Sequence, residues 1–348
     1  MDFFKRLFRI VLCSTAALVL IVGLSHKLQR RLESWGWISG QARYGDLYGF
    51  SCLRKFKEHE LGQTDALEDS DKPVRRHGNV DLYIIGDSFT TMDTSFYAGD
   101  RNYHVWLEVN TDTVAPDPEK ISVLVIEIIE RNIQLRLKED YQKVFFEQGF
   151  QVGVRKKLPE KLTQKSPSFW FCNLTEQTDR RMEYMLFNFR PILLIKELKA
   201  QLVLSLFGRT HPGAIISKNH EHLFYEAEAS PKHNLSSFSV IPDSSIDTVV
   251  ANMNAIRAHY RGLGFDDVYF CMIPNKVTVC EPERFQYNNQ IARIERHPEL
   301  QVPLLSIRNV ISGHPEYFHK GDGHWNARGK RVWLKAVNRL VETLDKEM

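Results

Sequence analysis

Little in this sequence points to metals, nucleic acids or a repeat architecture. Its five cysteines stand far apart at positions 13, 52, 172, 271 and 280, with no CxxC pair and no metal-ligand spacing, so no zinc site is encoded. Lys and Arg outnumber Asp and Glu only 46 to 43, and no basic stripe carries interleaved aromatics, which argues against a nucleic-acid partner. There is no internal repeat and no low-complexity tract, and we expect no cofactor. What is present is an ordinary globular balance, 43% apolar and 26% charged, in a 348-residue chain long enough for one large or two medium domains.

Residues Ile10 to Leu24 form an uncharged apolar run. Lys5, Arg6 and Arg9 precede it, and His26, Lys27, Arg30 and Arg31 follow. Phe3, Phe4, Leu7 and Phe8 extend it towards the length of a span, and no small-x-small cleavage site follows. We therefore expect residues 1–27 to be a signal anchor. The expected arrangement is a single pass through the cell inner membrane, with the amino terminus in the cytoplasm and the remaining chain outside, in the periplasm. Residues 28–79 read as lead-in and linker, the stretch 58–79 being polar and almost free of large apolar groups.

From residue 80 to 348 the chain alternates strand and helix patterns. Leu82–Ile85, Tyr103–Val109, Ile121–Ile129, Val268–Ile273 and Val302–Ile307 read as strands. Ser245–Tyr260, Glu283–His297 and Ala327–Lys346 read as helices. Ile121–Ile129 is apolar without alternation, the pattern of a parallel strand buried on both faces. This rhythm predicts an α/β three-layer sandwich with a mostly parallel sheet. Residues 134–243 break the rhythm and read as a helical insertion, with an aromatic cluster at Phe169-Trp170-Phe171 and an apolar helix over Ile192–Phe207 suited to a membrane surface or a partner. Cys271 and Cys280 flank a strand end, as a disulfide or as two buried thiols.

Two short motifs carry chemistry. Asp81 to Ser88, DLYIIGDS, runs an apolar strand into a Gly-Asp-Ser turn and, by our reading, into a helix. Ser88 thereby falls at the carboxyl end of a strand, where open α/β sheets bind ligands. Asp322-Gly323-His324 precedes the last helix. A serine hydroxyl needs a base to act as nucleophile at neutral pH, histidine has the right pKa range, and a carboxylate fixes its tautomer. Each motif alone is ordinary turn chemistry, with Asn326 a plain helix cap. Together they predict a site with Ser88 as nucleophile, His324 as base and Asp322 as its partner. Three further residues have two readings each. Trp325 packs beside the loop or forms a sugar platform. Lys276 neutralises a substrate or is simply exposed. His220-Glu221-His222 is a metal pair or an exposed loop, and the lack of a suitably spaced third ligand favours the loop. Asn173 and Asn234 begin glycosylation sequons that carry meaning only on a glycosylating export route.

YIIGDSF (83–89) with a C-terminal Asp-x-His resembles the SGNH or GDSL hydrolase superfamily. GDSF, VIEIIER (125–131), IPNK (273–276) and DGHWNARG (322–329) are similar to the SGNH-like domains of alginate O-acetyltransferases, over roughly residues 80–136 and 245–345. In the alginate proteins the Asp-x-His block precedes the serine block, whereas here it follows, as in ordinary SGNH hydrolases. The resemblance implies Ser88 as acyl-accepting nucleophile, His324 as base and Asp322 as partner. It also implies Arg131 near the substrate or the oxyanion, with Gly99 and Asn132 completing the oxyanion hole. Arg131 has a second reading, as a solvated strand-end charge or an ion-pair partner of Glu127 or Glu130.

Three functions are compatible with these residues. The first is an O-acetyltransferase of a cell-envelope polysaccharide or exopolysaccharide, fed by a membrane-bound acyl-transfer partner. The second is a carbohydrate esterase or deacetylase with water as acceptor. The third is a non-catalytic polysaccharide assembly protein, against which the intact Ser88, Asp322 and His324 count. The anchor, the alginate-type blocks and the long insertion favour transfer.

Overall fold

The computed structural model describes residues 2–38, 44–58, 66–109, 111–153 and 178–347. The Phe169-Trp170-Phe171 cluster, Cys172 and the Asn173 sequon lie outside the described residues. In chain order the strands are β1 (Val80–Gly86), β2 (Asn102–Trp106), β3 (Thr111–Val114), β4 (Ile121–Ile129), β5 (Gly149–Val152), β6 (Ala214–Ile216), β7 (Leu223–Tyr225) and β8 (Asp267–Ile273). The central sheet has the order β2-β1-β4-β8 and is parallel throughout, with Ile84 opposite both His104 and Val125, and Ile126 opposite Phe270.

β1 is buried along its whole length and β4 along all but its first residue, because helices cover both faces of the sheet. On one face Tyr83, Ile85, Leu124 and Ile126 pack with Val249, Val250 and Met253 of the helix Asp243–Gly262. On the other, Leu82, Ile84, Val123 and Val125 pack with Trp333, Leu334, Val337 and Val341 of the helix Ala327–Lys346. The molecule is thus α/β, with a mostly parallel central sheet and an apolar N-terminal helix. That helix runs from Asp2 to Leu24, and an 18-residue window within its Phe3–Leu24 stretch has a mean hydropathy of 2.4 and is mostly exposed. At ~1.5 Å per residue it is about 33 Å long, enough to cross a membrane.

Several expected elements differ. No helix follows Gly-Asp-Ser. The Asp87 carboxylate accepts the Phe89 N–H at 3.0 Å and the Asp87 carbonyl accepts the Thr90 N–H at 3.1 Å, so the chain turns and reaches β2 through a single 3₁₀ turn at Thr94–Phe96. β2 ends at Trp106, short of Val109, with Glu108 at a φ of 64°. The expected strand Val302–Ile307 shrinks to one bridge between Leu304 and Phe270, and Pro303 has no N–H for a longer ladder. The expected helix Glu283–His297 splits into a 3₁₀ turn at Pro282–Arg284 and a short helix Gln290–Glu295, broken where Asn289 adopts a φ of 54°. The interval 134–243 is not purely helical. It opens with two π-helical segments, pairs β5 with β3, and folds β6 and β7 into a hairpin. The cysteines among the described residues are free, so Cys271 and Cys280 form no disulfide.

Candidate active site

Ser88 stands just past the carboxyl end of β1 and is exposed. Gly86 is required before it by close approach, since a Cβ there would lie 2.7 Å from the Thr90 side chain. Ser88 Oγ is 2.6 Å from His324 Nε2, and His324 Nδ1 is 2.6 Å from Asp322 Oδ1. This pattern assigns the neutral ring proton to Nδ1 and leaves Nε2 free to accept from the serine hydroxyl. The structure therefore joins the three residues expected to act together, across 236 positions of chain. The amide N–H of Ser88 donates to no group among the described residues.

The loop carrying Asp322 and His324 is fastened from all sides. Asn326 caps the following helix through the N–H groups of Arg328 and Gly329. Trp325 is a packing residue, fully buried, and its Nε1 donates to the Phe89 carbonyl at 2.9 Å, tying the histidine loop to the serine turn. A Cβ on Gly321 would overlap the Phe56 carbonyl and one on Gly323 the Tyr225 ring, so only glycines admit this packing. Lys276 is neither exposed nor turned to a substrate. Its Nζ is buried and donates to the carbonyls of Leu223, Lys320 and Asp322 at 2.7, 3.0 and 3.0 Å. Burial pulls its pKa down to about 8.

Asp46, in the lead-in, belongs to the site and was not singled out by any sequence motif. It begins the short helix Asp46–Ser51. Its N–H donates to Asp322 Oδ2 at 2.9 Å, its Oδ1 accepts the Gly323 N–H at 2.8 Å, and its Oδ2 accepts the Tyr225 hydroxyl and lies 3.7 Å from His324 Nδ1. Burial and the nearby Asp322 charge raise the Asp46 carboxyl above its ordinary range. For Asp322, burial is outweighed by the bond and charge of His324 and the N–H groups of Asp46 and His324, which hold its carboxyl well below that range. For His324, burial opposes the imidazolium, yet the Asp322 hydrogen bond and the Asp322 and Asp46 charges overcome it and raise the pKa above the usual 6.5. Only 28% of the His324 side chain remains accessible, so these charges act through a largely dry medium.

Behind the serine turn, Glu127 is fully buried. Its Oε2 accepts the Asp87 N–H at 2.9 Å and its Oε1 has no partner among the described residues. Burial and the adjacent Asp87 push the pKa of this carboxyl well up, which favours its neutral form. Arg131 follows β4 directly. It pairs with neither Glu127 nor Glu130 but with Glu228, at 2.5 Å, while its guanidinium lies over the rings of Phe89 and Tyr225. Phe89 in turn leans on the His324 ring at 4.9 Å, which brings the Arg131 charge to the edge of the site. Asn132 stands at the same carboxyl edge, and its carboxamide has no hydrogen bond among the described residues.

Gly99 is not brought to the site. It bridges His77, and the next residue, Asp100, donates to the Val80 carbonyl, which places Gly99 at the amino end of β1, the opposite edge from Ser88. Nor do His220 and His222 gather ligands. His222 is buried at the hairpin turn, its pKa lowered to about 4 by burial and the Lys276 charge. Among the described residues, the one group of three metal-ligating side chains is Asp46, Asp322 and His324, whose ligand atoms lie within 4.8 Å of one another. Its carboxylate oxygens already accept N–H and O–H bonds from Asp46, Leu47, Gly323, His324 and Tyr225, which suits a proton-handling chain. Tyr225, Glu228 and Asp46 come from the insertion and the lead-in, where only their distant partners give them meaning. No protein-family model, curated protein or solved structure matches this chain.

Proposed function

We propose that this chain is a membrane-anchored serine acyl-transfer enzyme of SGNH type, built on a three-layer α/β sandwich. In this reading it is an O-acetyltransferase acting on a cell-envelope polysaccharide or exopolysaccharide through an acyl-Ser88 intermediate. The observation that carries the reading is the pair of 2.6 Å hydrogen bonds linking Ser88, His324 and Asp322 beside an exposed serine. Ser88 Oγ attacks the acyl carbonyl as its proton passes to His324 Nε2. The bond to the donor's leaving oxygen breaks, and His324 returns the proton to that oxygen. A sugar hydroxyl then gives its proton to His324 and attacks the acyl carbonyl, the bond to Ser88 Oγ breaks, and His324 returns the proton to Ser88 Oγ. The tetrahedral oxyanion is met by the free Ser88 N–H, with Asn132 and the Arg131 charge at the same edge, each preorganised donor being worth ~3 kcal/mol.

The N-terminal helix holds the domain on the extracytoplasmic face of the inner membrane, where a membrane-bound partner presents the acyl donor. A second reading, carbohydrate esterase, is favoured by the exposure of Ser88, which leaves water a path to the acyl-enzyme. The test offers an acetyl ester with and without an oligosaccharide acceptor. Acetylated oligosaccharide seen by mass spectrometry supports transfer, and acetate alone supports the esterase. Absence of both products overturns the acyl-enzyme reading.

A further inference from the structure

The helix Arg190–Phe207 carries two apolar faces, and the described residues cover only one. Inward, Leu193 and Glu197 are buried, and Ala200 and Leu204 pack against Leu47, Leu53, Phe56 and Leu223. Glu197 accepts the Tyr48 hydroxyl at 2.5 Å and Lys57 Nζ at 2.8 Å, which locks this face to the helix that begins with Asp46. Outward, Leu194, Ile195, Leu198, Leu202 and Leu206 are each more than half exposed, reaching 70% at Leu206. One exposed leucine is unremarkable, but a file of five along an 18-residue helix is a surface that wants a cover.

Two features on the molecule identify that cover. Through one intervening segment, the helix that bears the apolar strip is packed onto the helix able to cross a membrane. The segment Thr178–Asn188 ends in exposed Leu186 and Phe187, and it packs its Met182 on Gly23 and its Met185 on Val22 of the N-terminal helix. Trp37 stacks on Phe189 at 6.1 Å, and Trp35 and Trp37 are both exposed there, as aromatic residues are at the headgroup level of a bilayer. The charge around the strip has one sign. Between Leu186 and Arg209 the cations are Arg190, Lys196, Lys199 and Arg209, and the single acid, Glu197, points inward. Four cations set against themselves disfavour a second copy of this chain across a two-fold axis, whereas anionic headgroups complement them.

We propose that the helix Arg190–Phe207 lies in the interfacial plane of an anionic phospholipid bilayer, its leucine strip in the acyl boundary and its lysines and arginines among the phosphates. This inference rests on the anchor reading of the N-terminal helix. Its consequence is geometric: through Glu197, Tyr48 and Asp46, the membrane-lying helix is two packed contacts from the loop that carries His324. The catalytic edge is then held at the membrane, where an acyl donor presented by a membrane partner would arrive.

The test reconstitutes the full chain in vesicles of phosphatidylcholine with phosphatidylglycerol, with an environment-sensitive fluorescent amino acid installed at position 12, 198, 202 or 335. Brominated lipids quench from the acyl region and iodide quenches from water. Positions 198 and 202 are expected to lose most of their emission to brominated lipid and little to iodide, as position 12 does, with position 335 showing the reverse. Lipid quenching at 12 with iodide quenching at 198 and 202 overturns the inference and spares the anchor. Protection of 198 and 202 from both quenchers also overturns it, because a protein then covers the strip. Iodide quenching at position 12 removes the anchor reading itself.

Discussion

The backbone N–H of Asp46 donates to the Asp322 carboxylate at 2.9 Å across 276 residues, and the Asp46 carboxylate returns to the same loop through the Gly323 N–H. The loop that carries Asp322 and His324 therefore closes on the segment that leads in from the N-terminal helix. Asp46→Asn keeps the backbone donor and the side-chain size but removes a charge that helps raise the His324 pKa. The acid limb of kcat/KM against pH moves down in this variant, and kcat falls roughly tenfold to a hundredfold, the scale of a loosened positioning contact. An unchanged profile and rate would show that Asp46 serves packing alone.

His324 must be neutral to take the Ser88 proton, and its pKa is raised, with Asp322 the main favourable cause. Activity should therefore rise with pH through a value above 6.5. Asp322→Asn shifts that limb to lower pH while cutting kcat by roughly 10³–10⁴-fold, because the ring loses both its charge partner and its tautomer. A pH-rate series on wild type and variant reads both effects.

Lys276 satisfies three buried carbonyls, two of them, Lys320 and Asp322, in the catalytic loop. Lys276→Met fills the volume and leaves the Leu223 and Asp322 carbonyls without a donor, at ~1–3 kcal/mol for each unsatisfied group, while the Lys320 carbonyl keeps the Leu223 N–H. Denaturant unfolding should show a loss of about 2 kcal/mol or more. In what remains folded, kcat should fall further than KM rises, since the loop that aims His324 is no longer held. Full stability in the variant would contradict the clamp.

Burial beneath the serine turn and the adjacent Asp87 raise the Glu127 pKa well above the ordinary 4.5. The folded state thus favours the protonated form. Its contribution is complete below pH 4.5 and is lost as pH rises through the folded pKa. Glu127→Gln stays neutral at every pH, so its stability relative to wild type should improve as pH rises above about 4.5. Parallel unfolding curves across that range would mean that Glu127 titrates as it does in water.

These residues also mark what sequence could tell. β4 was legible to the residue because burial on both faces leaves a continuous apolar run, and the helix Ala327–Lys346 because Asn326 caps it. Ser88, Asp322 and His324 were legible because short local motifs carry them. Asp46 and Tyr225 were not, since their roles exist only in a contact spanning 179 residues. Lys276 was noticed, but lysines are rarely buried, and nothing local announces three carbonyls around its Nζ. Gly99 rests on the family resemblance alone, and the structure sends that position to the opposite end of β1 from Ser88. Val302–Ile307 had the apolar run of a strand and, in Pro303, a residue that limits its ladder to a single bridge.

The central claim is that Ser88 is a nucleophile activated by His324. The most direct measurement treats the full chain with a serine-directed phosphonate and locates the adduct by mass spectrometry, in wild type and in His324→Ala. A single adduct on Ser88 that forms in wild type and is nearly abolished in the variant is the predicted result. An adduct elsewhere, none at all, or one whose rate is indifferent to His324 would contradict it.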